Sequence, residues 1–98
     1  MDKYNILDGK LMILLNEVEE ILNQADDDYI EQYLNKCKAH INRLRKQIAD
    51  RTIGSSTQGL LGVQRAISEN DTLCANKKLY LAACEAERYY EQECKSFS

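Results

Sequence analysis

Apolar residues near the start of the chain fall into two runs with heptad spacing. One run forms a seam of apolar residues with alternating steps of four and three, at Ile30, Leu34, Cys37, Ile41, Leu44 and Ile48. A similar seam precedes it at Leu7, Leu11, Leu14, Val18, Ile21 and Ala25. This spacing places each set along one side of an α-helix. Two such helices joined by a short acidic link predict an antiparallel helical hairpin over about residues 6–51.

The first of these helices carries more apolar residues than a single seam needs. Leu15 and Leu22 lie beside the seam and widen its apolar stripe. A wide stripe is typical of a helix that packs against more than one neighbour. The pattern therefore favours a bundle of three or more helices, or a dimer of hairpins.

Capping residues and glycines suggest where the helices begin and end. The first helix begins after Asp2 or Asp8, the second after Asp28, and the second stops near Gly54. A loop at 54–59 separates the hairpin from helices expected at about 56–69 and 71–96, which could also form one longer helix. The absence of proline permits long helices. We predict a single all-α domain over residues 1–98: a small bundle of three to four helices built on the hairpin.

Charge is distributed unevenly, although the net charge is only −3. Residues 1–35 contain nine acids and two bases, whereas residues 36–51 contain six bases and one acid. If the two helices are antiparallel, much of this opposite charge is satisfied between them.

The sequence gives no sign of a membrane or of export. The start of the chain lacks the basic and apolar regions of a signal peptide, and the longest apolar run, Leu11 to Leu15, is far shorter than the roughly 20 residues of a membrane span. We expect a cytoplasmic protein with no membrane partner.

The sharpest chemical motif is Cys37-x-x-His40, which places two zinc-ligand side chains on one helix face. Further ligands would have to come from Cys74, Cys84 and Cys94, but their ten-residue spacing points them in different directions on a helix. We therefore predict no metal and no cofactor. The chain also lacks phosphate-binding and nucleophile motifs, so we do not expect an enzyme.

The leading hypothesis is a small non-enzymatic accessory factor that binds another protein, of unknown identity, and masks its functional surface. Inhibitors, immunity proteins and chaperones of bacteria or phages share this size, acidity and hairpin, although no motif identifies one of them. The candidate partner-binding residues are the acids of the link and the tyrosines and acids of the last helix: Asp26, Asp27, Asp28, Glu31, Tyr80, Tyr89, Glu85 and Glu91. A homodimer is also compatible with the pattern.

The alternative is a nucleic-acid-associated regulator that uses the basic helix at 36–51. The bases there surround the helix instead of forming one stripe, and the overall charge is negative. Both observations weigh against nucleic acid as the partner.

Overall fold

A computed structural model describes residues 2–52 and 61–94 of the chain. These parts contain five α-helices and a π-helical turn, and no strand. The elements are α1 (Lys3–Gln24), α2 (Asp28–Ala49), α3 (Val63–Ser68), α4 (Asp71–Cys74), α5 (Lys77–Tyr89) and the π-helical turn Tyr90–Cys94. The predicted all-α bundle is thus confirmed. None of the helices described has both the length and the hydropathy needed to cross a membrane.

Helix α1 is the centre of the bundle. It packs against α2 on one side and α5 on the other, whereas no Cα atoms of α2 and α5 approach within 8 Å among the described residues. Leu7, Leu11 and Val18 are fully buried, and Leu15 beside them is also buried. The wide apolar stripe of α1 was predicted to face more than one helix, and it packs against two, α2 and α5.

The hairpin of α1 and α2 is fastened by ion pairs as well as by its apolar seam. Oppositely charged side chains from the two arms of this helical hairpin form the pairs Arg51–Asp2 (2.9 Å), Arg45–Asp8 (2.8 Å) and Lys38–Glu19 (3.5 Å). The partners run in opposite order along the chain, as an antiparallel arrangement requires. Half of the bases in residues 36–51 are thereby engaged by acids of α1 or of its N-cap.

The helix ends of the hairpin differ slightly from those predicted. Asp2 caps α1 by accepting a 2.9 Å hydrogen bond from the Tyr4 backbone N–H, and the alternative cap, Asp8, lies inside the helix. Asp27 caps α2 instead of Asp28, because its extended backbone lets its carboxylate reach the first free N–H groups. Arg51 takes the left-handed conformation after α2, with φ 59°, whereas the predicted stop at Gly54 lies outside the described residues.

The C-terminal half is divided more finely than predicted. Helix α3 begins at Val63, after Gly62 in a left-handed conformation, and residues 56–60 of the predicted helix lie outside the described ranges. The expected single helix over 71–96 is wrong, because it is interrupted at Ala75–Asn76. Asn76 accepts a hydrogen bond from the Leu79 N–H and so starts α5 as a new helix.

The π-helical turn keeps the apolar side of α5 against the core. Ala83, Ala86 and Tyr90 are buried on that side, and a regular helix would place the charged Glu93 there next, three residues beyond Tyr90. In the structure Tyr90 and Cys94 are buried while Glu93 is exposed. The wider turn keeps an apolar side chain against the core and the carboxylate in solvent.

A buried carboxylate on α5 holds the start of α3. Glu87 is only 5% exposed and accepts hydrogen bonds from three backbone N–H groups, those of Leu61 (2.8 Å), Gly62 (3.0 Å) and Gln64 (3.4 Å). Gly62 itself provides no side-chain cap. A side chain from another helix therefore satisfies the free donors at the beginning of α3.

Helix α2 holds the same segment from the other side. Since a carbonyl oxygen only accepts, the ring Nε2 of His40 donates to the Leu61 carbonyl, at 2.8 Å. The Tyr33 hydroxyl donates to the Ala66 carbonyl, further along α3. Helix α3 is consequently fixed between α2 and α5, two helices whose described Cα atoms do not approach within 8 Å of each other.

Replacing Glu87 should destabilise the fold far more than replacing its exposed neighbour two residues earlier. Glu87→Ala leaves buried N–H groups without an acceptor, and we expect a loss of about 2–3 kcal/mol in the free energy of unfolding. Glu85→Ala removes only an exposed ion pair and should change stability by less than about 1 kcal/mol. Urea denaturation followed by circular dichroism measures both, and equal effects would contradict the assigned role of Glu87.

Two glycines should respond in opposite directions to the same substitution. Gly9 lies within α1 with nothing within 4 Å of the position of an added Cβ, so Gly9→Ala should stabilise the protein by about 0.5–1 kcal/mol. Gly62 has φ +83°, so Gly62→Ala should destabilise it by about 1–2 kcal/mol. Chemical denaturation of both variants tests the pair, and a destabilising Gly9→Ala would be the contrary result.

Candidate protein-binding surface

The residues predicted to bind a partner form two groups in the structure. Four acids lie together at the link between α1 and α2, and we call these, with Tyr29, the acidic tip: Asp26, Asp27, Asp28, Tyr29 and Glu31. The other four lie along α5 and the π-helical turn: Tyr80, Glu85, Tyr89 and Glu91.

The acidic tip lies far from the Tyr89 end of α5. Helices α1 and α5 are antiparallel, since Lys10 pairs with Glu85 at 3.4 Å and the Cys94 thiol lies 3.9 Å from the Lys3 carbonyl oxygen. Tyr89 therefore lies near Lys10, whereas the acidic tip follows Gln24, about 21 Å further along α1 at about 1.5 Å per residue. The acidic tip and the Tyr89 end of α5 do not form one continuous surface.

The acidic tip has an ordered backbone. The Asp27 carboxylate accepts hydrogen bonds from the N–H groups of Tyr29 (2.7 Å) and Ile30 (3.4 Å), which fixes the first turn of α2. Asp28 and Glu31 lie in that turn, where carboxylates are favoured by the helix dipole. All four acids of the tip are exposed. The link is therefore both a helix cap and a fixed display of negative charge.

Tyr29 is the aromatic residue that the sequence reasoning missed. The residue is 66% exposed, and its ring is tilted by 39° against the ring of Tyr33, with centroids 6.4 Å apart. The available signal was its position: a tyrosine directly after three aspartates and outside the apolar seam. The tip thus combines an exposed aromatic ring with acids, on a part of the chain that has no Lys, Arg or His between Lys10 and Lys36.

The residues on α5 are more involved in the fold than expected. Glu85 pairs with Lys10, whose ammonium also lies 5.4 Å from the centre of the Tyr89 ring. Tyr80 and Tyr89 are half-buried and pack against the core. Glu91 is exposed. Three of the four side chains thus have structural contacts, and the acidic tip is the more accessible of the two predicted groups.

A second exposed surface was not singled out from the sequence. Ile13 on α1 and Leu81 on α5 are 59% and 60% exposed. They line the same depression on the outer side of the α1–α5 contact, together with Glu17, Lys78 and Ala82. Exposed aliphatic residues are common singly, but a shared depression makes them a patch.

The Cys37-x-x-His40 motif lies at a shallow apolar depression between α2 and α3. His40 is already bonded to the Leu61 carbonyl, and burial raises the pKa of the Cys37 thiol, which keeps it protonated. Across residues 2–52 and 61–94, no three or more His, Cys, Asp and Glu side chains are grouped so as to hold a metal ion. The motif contributes to the packing of α3.

Comparison with protein families, with curated proteins and with solved structures gave no match. The functional argument therefore depends on the geometry and charge of these surfaces.

Stability should fall at alkaline pH because of groups at the α2–α3 contact. Burial, followed by the charges of Cys37, Glu69 and Tyr29, raises the pKa of Tyr33 above its ordinary 10.0, and burial raises that of Cys37 above 9.0. A raised pKa in the folded state stabilises the protein fully below the ordinary value, and this contribution is lost as the pH rises through the folded value.

Urea denaturation at a series of pH values tests this expectation. The free energy of unfolding of the wild type should decline above about pH 9 to 10. Tyr33→Phe should lower stability by about 1 kcal/mol at neutral pH, through its lost hydrogen bond, but should decline less steeply above pH 10. Parallel curves for the two proteins would show that Tyr33 does not contribute.

Proposed function

We propose that the protein is a small protein-binding factor that covers a functional surface of its partner with the acidic tip. The supporting observation is that Tyr29, which is 66% exposed, lies among Asp26, Asp27, Asp28 and Glu31 at one end of the bundle. Tyrosine is enriched among the residues that anchor protein interfaces. The charged residues named around Tyr29 are all acids.

The fixed backbone of the tip favours binding. Asp27 caps the helix that carries Tyr29, so the ring is presented from an ordered turn. A preorganised surface loses less conformational entropy on association than a mobile loop does. The tip is also narrow, because it is the connection between two antiparallel helices, and such a shape fits a concave surface better than a flat one.

The chemistry of the tip indicates the kind of partner. An apolar cleft with Lys or Arg at its edge would accept the Tyr29 ring and face the surrounding carboxylates. Charges at the edge of an interface act mainly on the association rate and on the choice of partner. The mechanism would be steric, as in an inhibitor, an immunity protein or a chaperone, and it requires no catalytic group on this chain.

The second candidate function is association with nucleic acid. Fewer bases are available for it than the sequence suggested. Lys38, Arg45 and Arg51 are engaged by acids of α1 or of its N-cap. The exposed bases that remain on α2 are Lys36, Arg43 and Lys46. Their spacing of seven and three residues places them on one side of the helix. Three lysine or arginine contacts correspond to weak, salt-sensitive binding.

Reversing charge at the acidic tip should abolish partner binding. The variant Asp26→Lys with Glu31→Lys and Tyr29→Ala removes the proposed anchor and replaces two of the four surrounding acids by lysine, while leaving the cap, Asp27, in place. Immobilised wild type and variant are exposed to an extract of the source cells, and bound proteins are quantified by mass spectrometry. The partner should be retained by the wild type, lost from the variant, and released from the wild type as salt is raised.

The matched control is Asp50→Lys, an exposed acid at the opposite end of α2. It should retain the partner, and all three proteins should show the same helical circular dichroism. Equal capture by the wild type and the tip variant would refute the proposal. The variant Lys36→Glu should bind the purified partner as well as the wild type does. That result would argue against the basic side of α2 as the contact.

A further inference from the structure

The depression that contains Ile13 and Leu81 carries the same residue pattern on both of its helices. On α1 the order is Lys10-x-x-Ile13-x-x-x-Glu17, and on α5 it is Lys78-x-x-Leu81-x-x-x-Glu85. Each exposed aliphatic residue therefore has a lysine three positions before it and a glutamate four positions after it. These spacings keep all three side chains on one side of their helix.

The antiparallel arrangement turns this repeated pattern into an alternating charge layout. Lys10 lies beside Glu85, with their charged atoms 3.4 Å apart, and Glu17 lines the same depression as Lys78. The two lysines are thus at diagonal corners of a four-charge rim, and the two glutamates occupy the other diagonal. Ile13 and Leu81 lie between the two ends of this rim.

Such a rim is complementary to itself. A two-fold axis in the plane of the face, directed across the helices, brings Lys10 over Glu17 of the second copy and Lys78 over Glu85 of the second copy. An axis directed along the helices instead brings Lys10 over Glu85 of the second copy and Lys78 over Glu17 of the second copy. Every facing pair is of opposite sign in both cases, as an isologous contact requires.

We propose that this face, which we call the Ile13–Leu81 face, binds a second copy of the chain to form a symmetric homodimer. The contact covers Ile13 and Leu81, two of the four large apolar side chains that stand exposed among the described residues. It also gives partners to Glu17 and Lys78, neither of which takes part in a salt bridge within residues 2–52 and 61–94.

The charge layout favours a second copy over other occupants. A nucleic acid or an anionic membrane would be attracted by a rim of positive charge alone, and a basic protein by a negative one. A rim of alternating charge is not complementary to any of these, but it is complementary to the same rim on a second copy of the chain. The association also buries apolar surface that the monomer leaves in water.

The Ile13–Leu81 face is separate from the acidic tip. Ile13 lies about halfway along α1, and the tip follows the end of that helix. A dimer formed through this face leaves both tips exposed and presents two of them at once. The dimer proposal does not depend on the proposed function of the tip.

Sedimentation velocity of the full chain over a concentration series tests the proposal. The wild type should shift from the monomer mass of 11.3 kDa to twice that mass as concentration rises. Leu81→Asp should remain monomeric throughout the series. Lys78→Glu sets like charges against Glu85 of the second copy, or against Glu17 of the second copy, and should raise the dissociation constant by about tenfold or more.

The matched control is Met12→Asp, an equivalent change of an exposed residue adjacent to Ile13 in sequence but not part of the depression. It should dimerise like the wild type. All variants alter exposed side chains, and circular dichroism verifies that they are folded. A wild type that is monomeric at every concentration would overturn the proposal, as would a dimer unaffected by both Leu81→Asp and Lys78→Glu.

Discussion

The carboxylate of Glu87 is the interaction on which the C-terminal half of the fold depends. Helix α3 has only six residues, too few to form by itself in water. It exists because α5 supplies an acceptor for its first N–H groups and α2 supplies hydrogen-bond donors for the carbonyls of Leu61 and Ala66. Through this segment the two outer helices are coupled, although their backbones never meet.

Charge has different roles in different parts of the molecule. Along the α1–α2 contact, acids and bases are paired with each other and reinforce the antiparallel order of the hairpin. At the link, the acids are exposed, and the chain has no Lys, Arg or His between Lys10 and Lys36 to pair with them locally. On the α1–α5 side, both signs alternate around an apolar centre. The first arrangement contributes to folding. We have proposed that the second attracts a basic partner and that the third supports self-association.

The parts of the fold that could be predicted are those set by local periodicity. The seams of α1 and α2 were readable because each helix is more than twenty residues long and its buried side chains repeat regularly. The break before α5 was obscured by apolar residues on both sides of Asn76. The role of Glu87 could not be deduced, since its partners lie 23 to 26 residues earlier in the chain. Sequence alone assigns a glutamate in a helix to the surface.

For the candidate surfaces the outcome is similar. The acids of the tip were predicted because they are adjacent in sequence, and the structure places them together. Tyr29 was missed because periodicity describes what is buried and gives no weight to a ring outside the seam. The Ile13–Leu81 face was missed because its two halves lie on the first and last helices, and only their contact makes the repeated pattern meaningful.

The central position of α1 also affects how the chain can be made. This helix is synthesised before α5, yet one of its two apolar flanks is covered by α5, whose residues come more than fifty positions later. The α1–α2 hairpin can close early, because its partners are close in sequence. The other flank stays open to solvent, and to other nascent or folded chains, until α5 has left the ribosome. Helix α1 is thus made before both of the helices that cover it.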